Sequence, residues 1–132
     1  MYLDSSALAK LVVPEIETNA LREFLVGQPE RCSSDLIRVE LGRLILRQPA
    51  AGATFHSRFE AALSAVSLLR LSPAILQTAA NVLGANLRAL DAIHLAAALS
   101  VPDLAGMVAY DPRLAAAAAA NGLRVFMPGR VA

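Results

Sequence analysis

The chain has 132 residues, enough for one packed core and too few for two. Apolar residues make up 56% and charged residues 17%, so the chain can bury enough surface to offset its ordering entropy, which excludes disorder. The net charge of +1 is no strong attraction to nucleic acid, and no apolar run approaches the roughly 18 residues of a membrane span.

In chain order, Met1–Leu3 reads as a short apolar strand ending at Asp4. Ser5 and Ser6 then offer cap hydroxyls to a helix running through Val12. Pro14 restarts the chain, and Glu15–Val26 has helical period, with Ile16, Ala20, Leu21, Phe24 and Leu25 on its apolar side. Gly27–Pro29 is a turn and Arg31–Ser33 a second strand. Asp35–Arg47 is a helix, Pro49–Gly52 a break and Ala53–Ser67 a further helix, followed by a third strand at Leu69–Leu71. Ser72 caps a helix over Pro73–Gly84 with proline at its first position, and Leu87–Leu99 is an apolar helix. Met107–Tyr110 is a buried strand. Asp111-Pro112 opens a helix that stops at Asn121-Gly122, and Leu123–Met127 is the last strand.

Short apolar strands alternating with amphipathic helices predict an α/β fold, its parallel sheet covered on both faces. Ligands gather at the carboxyl ends of such strands, and Asp4 and Asp111 both directly follow predicted strands. Glu15, Glu17, Glu23, Glu30, Glu60 and Asp103 read as surface acids. Four other acids stand in apolar company. Asp4 closes the first strand, and Glu40 sits at the margin of an apolar helix face. Asp91 interrupts a run of alanine and leucine, and Asp111 precedes Pro112. Each has an ordinary structural explanation. Asp4 and Asp111 suit helix caps, Glu40 suits an exposed helical position, and Asp91 suits a cap or an ion pair with Arg88. Together they imply a carboxylate cluster, which repels itself unless a cation compensates it. Oxygen ligands of this kind suit Mg²⁺ or Mn²⁺, and such a site at strand ends points to phosphoryl chemistry.

Four blocks carry a family resemblance: Tyr-Leu-Asp4-Ser-Ser-Ala-Leu-Ala-Lys-Leu, Ser34-Asp-Leu-Ile-Arg-Val-Glu40, Leu90-Asp91-Ala-Ile-His-Leu-Ala-Ala-Ala and Val108-Ala-Tyr-Asp111-Pro-Arg-Leu. In order and spacing, and over nearly the whole chain, the sequence resembles the PIN-domain ribonucleases. It looks most like the VapC toxins of bacterial toxin–antitoxin (VapBC) modules. The resemblance implies a single domain over residues 1–132, a PIN-like three-layer α/β/α fold with a central parallel sheet of short strands. It also implies a metal-dependent endoribonuclease whose catalytic, metal-holding acids are Asp4, Glu40, Asp91 and Asp111, with Ser6 as a supporting hydroxyl. Mg²⁺ or Mn²⁺ would be the cofactor, and cleavage would leave 5′-phosphate and 3′-hydroxyl ends. The implied partners are RNA, a small VapB-like antitoxin and a second copy in a homodimer. Ala109 departs from the family, where Thr or Ser is common two positions before the last acid. Within the family, an RNA-processing nuclease without an antitoxin and a non-catalytic PIN-like interaction module are the alternatives. An aspartyl-nucleophile phosphatase would place a second Asp two residues after Asp4, where this chain has Ser6.

Eleven of the twelve basic residues are arginine, the side chain suited to bidentate phosphate contact, although a GC-rich gene gives the same bias along with the 27 alanines. Arg88 and Arg113, beside two of the acids, are the candidates for phosphate or RNA contact; Arg38, Arg43 and Arg47 share the helix of Glu40. His94 shares a helix face with Asp91 and reads as a structural residue hydrogen-bonded near the site. The single Cys32 reads as a small apolar residue, excludes an internal disulfide framework and fits a reducing cytoplasm. One Cys and two His are too few for a structural zinc. No signal peptide or membrane segment is expected. The apolar excess predicts exposed patches for the dimer and antitoxin surfaces.

Overall fold

The computed structural model describes residues 1–49 and 52–130. In chain order the elements are β1 (Tyr2–Leu3), α1 (Ser5–Val12), α2 (Thr18–Val26), β2 (Cys32–Ser34), α3 (Leu36–Leu46) and α4 (Gly52–Ser64). They continue with β3 (Ser67–Leu69), α5 (Pro73–Asn81), α6 (Ala89–Leu99), β4 (Met107–Val108), α7 (Pro112–Ala120) and β5 (Val125–Phe126). All strand pairs are parallel, in the order β3-β2-β1-β4-β5. This is the α/β/α arrangement expected from the sequence.

Side chains alternate across the sheet, and the alternation builds two cores. Tyr2 lies opposite Met107 and Leu3 opposite Val108 in the β1–β4 register. Leu3 and Val108 pack with Leu8, Leu21, Ile37 and Leu41, the buried faces of α1, α2 and α3. Tyr2 and Met107 pack on the other side with Ile75, Leu95 and Leu114, from α5, α6 and α7. Burying one such aliphatic side chain contributes about 1.5–3 kcal/mol, so both layers are firmly held to the sheet. Ala109, where the family commonly carries a hydroxyl, is fully buried in the second of these cores.

The strand order fixes where a crevice forms. The chain leaves β1 for β2 and β3 on one side, then returns to β4 and β5 on the other. Loops from the carboxyl ends of β1 and β4 therefore diverge, and an open α/β sheet binds its ligands at such a point. Asp4 follows β1 directly, and Asp111 follows β4 after Ala109 and Tyr110.

Several boundaries differ from the sequence-based expectations, each for a local reason. The third strand begins at Ser67 rather than Leu69. Helix α4 has ended by then, and the Ser67 N–H donates to the Arg31 carbonyl at 2.9 Å. The second helix begins at Thr18 rather than Glu15, because the Thr18 hydroxyl accepts from the Glu15 N–H and donates to the Lys10 carbonyl. Ile16, expected on the apolar side, is 94% exposed as a result. The cap of α1 is Asp4 itself rather than Ser5 or Ser6. The break expected over Pro49–Gly52 falls partly outside the described residues. Among the described residues, no helix is long and apolar enough to cross a membrane.

Candidate active site

The crevice at the carboxyl end of β1 and β4 is a cleft of about 420 Å³. Its lining includes Asp4, Glu40, Asp91 and Asp111, together with Ser5, Ser6, Arg47 and Arg88. Glu40, Asp91 and Asp111 stand 36, 87 and 107 positions after Asp4, and the fold brings all four into one hollow from β1, α3, α6 and α7.

Asp4 is the most deeply placed, only 2% exposed. Its Oδ1 accepts from the Ala7 N–H at 2.9 Å, and the Ser6 hydroxyl lies 2.7 and 2.9 Å from its two oxygens. The Ser6 oxygen in turn accepts from the Tyr110 N–H at 3.0 Å, so one hydroxyl ties the ends of β1 and β4 together. Burial nevertheless dominates, raising the Asp4 pKa to about 6 against the lowering effect of these donors.

Asp91 sits in the first turn of α6, where the helix dipole favours negative charge. Its pKa is raised, first by burial and then by the charge of Asp111. Arg88 stands at the cap position of α6 and reaches toward Asp111, with Nη2 3.9 Å from Oδ2. Asp111 divides its oxygens: Oδ1 caps α7 by accepting from the Arg113 and Leu114 N–H groups at 2.8 and 3.2 Å. Capping and a place in the cleft are therefore compatible. Glu40, on α3, accepts from Ser5 at Oε2 (3.0 Å), and its Oε1 lies 2.6 Å from His94 Nε2. Arg113 itself is exposed and meets Asp111 through its backbone; its side chain is not part of the cleft lining. Arg47 is in the lining, whereas Arg38 and Arg43 of the same helix are not.

The donor set is hard oxygen of acidic character, the chemistry that suits Mg²⁺ or Mn²⁺. The carboxylates do not form a closed cage. Among the described residues, no three His, Cys, Asp or Glu side chains converge on one ion position.

A second charged cluster went unread in the sequence. Glu17, expected at the surface, is only 6% exposed. Lys10, also buried, lies 3.4 Å from Glu17 Oε2 and 2.8 Å from Glu15 Oε2, and stands 4.5 Å from the Tyr110 ring centroid. Arg130 approaches Glu17 Oε1 at 3.3 Å and donates to the Tyr110 carbonyl at 2.6 Å. Gly129, at φ +86°, allows this approach, since a Cβ there would meet Ala20 at 3.0 Å and Glu17 at 3.2 Å. The Glu17 pKa is lowered by its own backbone N–H and, against burial, by Lys10 and Arg130. A larger hollow at the opposite edge of the sheet is lined by Met1, Arg31, Cys32 and Leu104. Burial raises the Cys32 pKa, which makes it a poor nucleophile.

The PIN domain family model matches residues 1–122. The chain is 40% identical over 129 residues to ribonuclease VapC46 of Mycobacterium tuberculosis, a match covering 97% of each chain. It is 38% identical over 136 residues to ribonuclease VapC47 of the same species, covering 99% of this chain and 98% of that one. Against ribonuclease VapC35, also from Mycobacterium tuberculosis, it is 38% identical over 135 residues, covering 98% of each.

Proposed function

The chain belongs to the PIN domain family, and on that premise we propose that it is a VapC-type toxin, a divalent-metal-dependent endoribonuclease working at the Asp4 cleft. The single observation that supports this most is the gathering of Asp4, Glu40, Asp91 and Asp111 in one cleft at the switch point of the sheet, with Asp4 buried and, among the described residues, no Lys or Arg bonded to it. A Mg²⁺ or Mn²⁺ ion held by Asp4 and Asp91, with Glu40 and Asp111 beside it, would supply Lewis acidity and lower the pKa of water at the phosphodiester.

The chain's own residues have distinct parts in this proposal. Asp4, its carboxylate fixed by Ser6 and the Ala7 N–H, presents a preoriented oxygen to the cation rather than a mobile one. Burial and then the charge of Asp111 raise the proton affinity of Asp91, and a carboxylate of this pair would accept the proton of attacking water. Arg88 and Arg47, both in the lining, would hold substrate phosphates. The partners in this proposal are RNA, a small VapB-like antitoxin and a second copy of the chain, in a cytoplasmic setting. Exposed Val39 and Leu46 on α3, and Leu90 beside Asp91, support apolar docking near the cleft.

The test is cleavage of total RNA by the wild type, Asp4→Asn and Asp91→Asn, each with Mg²⁺, with Mn²⁺ and with chelator. Cleavage by the wild type only, and only with a divalent ion, is expected. Equal cleavage by the folded variants, or by a metal-free wild type, would refute the proposal.

A further inference from the structure

Behind Glu40 runs a buried hydrogen-bond chain that the cleft chemistry leaves unused. Tyr2 Oη lies 2.7 Å from His94 Nδ1, and His94 Nε2 lies 2.6 Å from Glu40 Oε1. Tyr2 and His94 are fully buried, while the Glu40 side chain is 19% exposed and reaches the cleft. The three residues come from β1, α6 and α3. The chain therefore passes from the α6 layer, over the carboxyl edge of the sheet, to the α3 layer. It links the two walls of the cleft, because Asp91 lies one helical turn before His94 on α6.

Donor and acceptor capacities allow one direction through a neutral ring. An ionised Glu40 can only accept, so Nε2 must carry the ring proton. Nδ1 is then the bare nitrogen, and the Tyr2 hydroxyl must donate to it. The remaining Glu40 oxygen accepts from Ser5 at 3.0 Å, so each carboxylate oxygen has its own donor.

We propose that Tyr2 and His94 are positioning residues: with the ring proton on Nε2 facing Glu40, the Tyr2 hydroxyl anchors the His94 ring by donating to Nδ1, and His94 holds the Glu40 carboxylate at a fixed angle in the cleft. The proposal rests on Glu40 being a site carboxylate, as argued above. A histidine that donates one ring proton to a carboxylate and accepts at the other nitrogen is an orienting device. Loss of such an outer partner typically costs about 10- to 100-fold in metal affinity or activity.

The experiment uses the full chain and the variants Tyr2→Phe, His94→Gln and His94→Leu, each verified as folded by its melting profile. Nitrogen-15 NMR of the histidine ring should show the Nε2–H tautomer in the wild type, and in Tyr2→Phe the Nδ1 resonance should move downfield as its donor is lost. Calorimetry with Mn²⁺ should show affinity about tenfold weaker in Tyr2→Phe and His94→Leu. His94→Gln, whose amide can still donate to Glu40, should recover most of it. RNA cleavage should lose kcat more than KM. A wild-type ring carrying its proton on Nδ1 would overturn the proposal. So would folded Tyr2→Phe and His94→Leu proteins that bind Mn²⁺ as the wild type does. If the wild type bound no Mn²⁺ at all, the metal assignment would fall alone, and the wild-type tautomer together with the Nδ1 shift in Tyr2→Phe would still decide the positioning role.

Discussion

Asp4 and Glu17 are buried to nearly the same extent, at 2% and 6% exposure, yet their carboxyls are pushed in opposite directions. Glu17 has Lys10 and Arg130 against its two oxygens. Asp4 has a hydroxyl, a backbone N–H and three other acids sharing its cleft. The first cluster is closed: its charges are supplied by the chain, and its effect is to hold residues 128–130 against α2 and Tyr110. The second is open, with negative charge left for something outside the chain to compensate. Burial of a carboxylate is therefore no sign of function by itself; the proposed site rests on burial that the chain leaves uncompensated.

The largest effect should come from removing charge on the open side. Asp4→Asn is expected to reduce RNA cleavage on the order of 1,000-fold, since a displaced cation forfeits several kcal/mol of transition-state stabilisation. In chelator at neutral pH, the same variant should melt at a higher temperature than the wild type, measured by calorimetric scanning. The closed side should respond the other way. Lys10→Met should lower Tm by roughly 10 °C by stranding a buried carboxylate, with cleavage per folded molecule retained. The double variant Lys10→Met/Glu17→Gln should regain much of that loss.

Acidity separates the two regions next. The folded Asp4 carboxyl titrates near 6, whereas an unfolded one titrates near its usual 3.8. Between these values the folded state binds more protons. Stability due to Asp4 is thus greatest below about pH 4 and falls as the pH rises through 6, by about 3 kcal/mol in the absence of a divalent ion. Urea melts of the wild type and Asp4→Asn in chelator should diverge over this range; parallel curves would contradict the open-cluster account. The smallest effect belongs to Arg88, an exposed residue 3.9 Å from Asp111. Arg88→Ala should change stability by under about 1 kcal/mol and reduce the salt dependence of RNA binding by about one unit of slope.

The open cluster was legible in sequence because its acids sit at places that local rules expose. Asp4 and Asp111 follow strands, and Asp91 breaks an apolar helical run. The closed cluster was not legible, because its pairing is set by distance in space alone. Glu17 looks like any helical Glu until Arg130 arrives from 113 positions away. The same holds for the partner of His94: a hydrogen-bonded place near the site was legible for His94, but not its pairing with Tyr2, 92 positions away. Conversely, Arg113 adjoins Asp111 in the chain but only its backbone turns to it, whereas Arg47, from another element, reaches the lining. The parallel sheet follows from the alternation of elements, but the shift of β3 to Ser67 depends on where α4 stops, which apolar periodicity does not mark.

Titration of Mn²⁺ into metal-free wild type and Asp4→Asn, followed by calorimetry, tests the central claim most directly. Saturable binding to the wild type, absent or at least tenfold weaker in the folded variant, is predicted. Equal affinity in the two proteins, or no binding by the wild type, would contradict it.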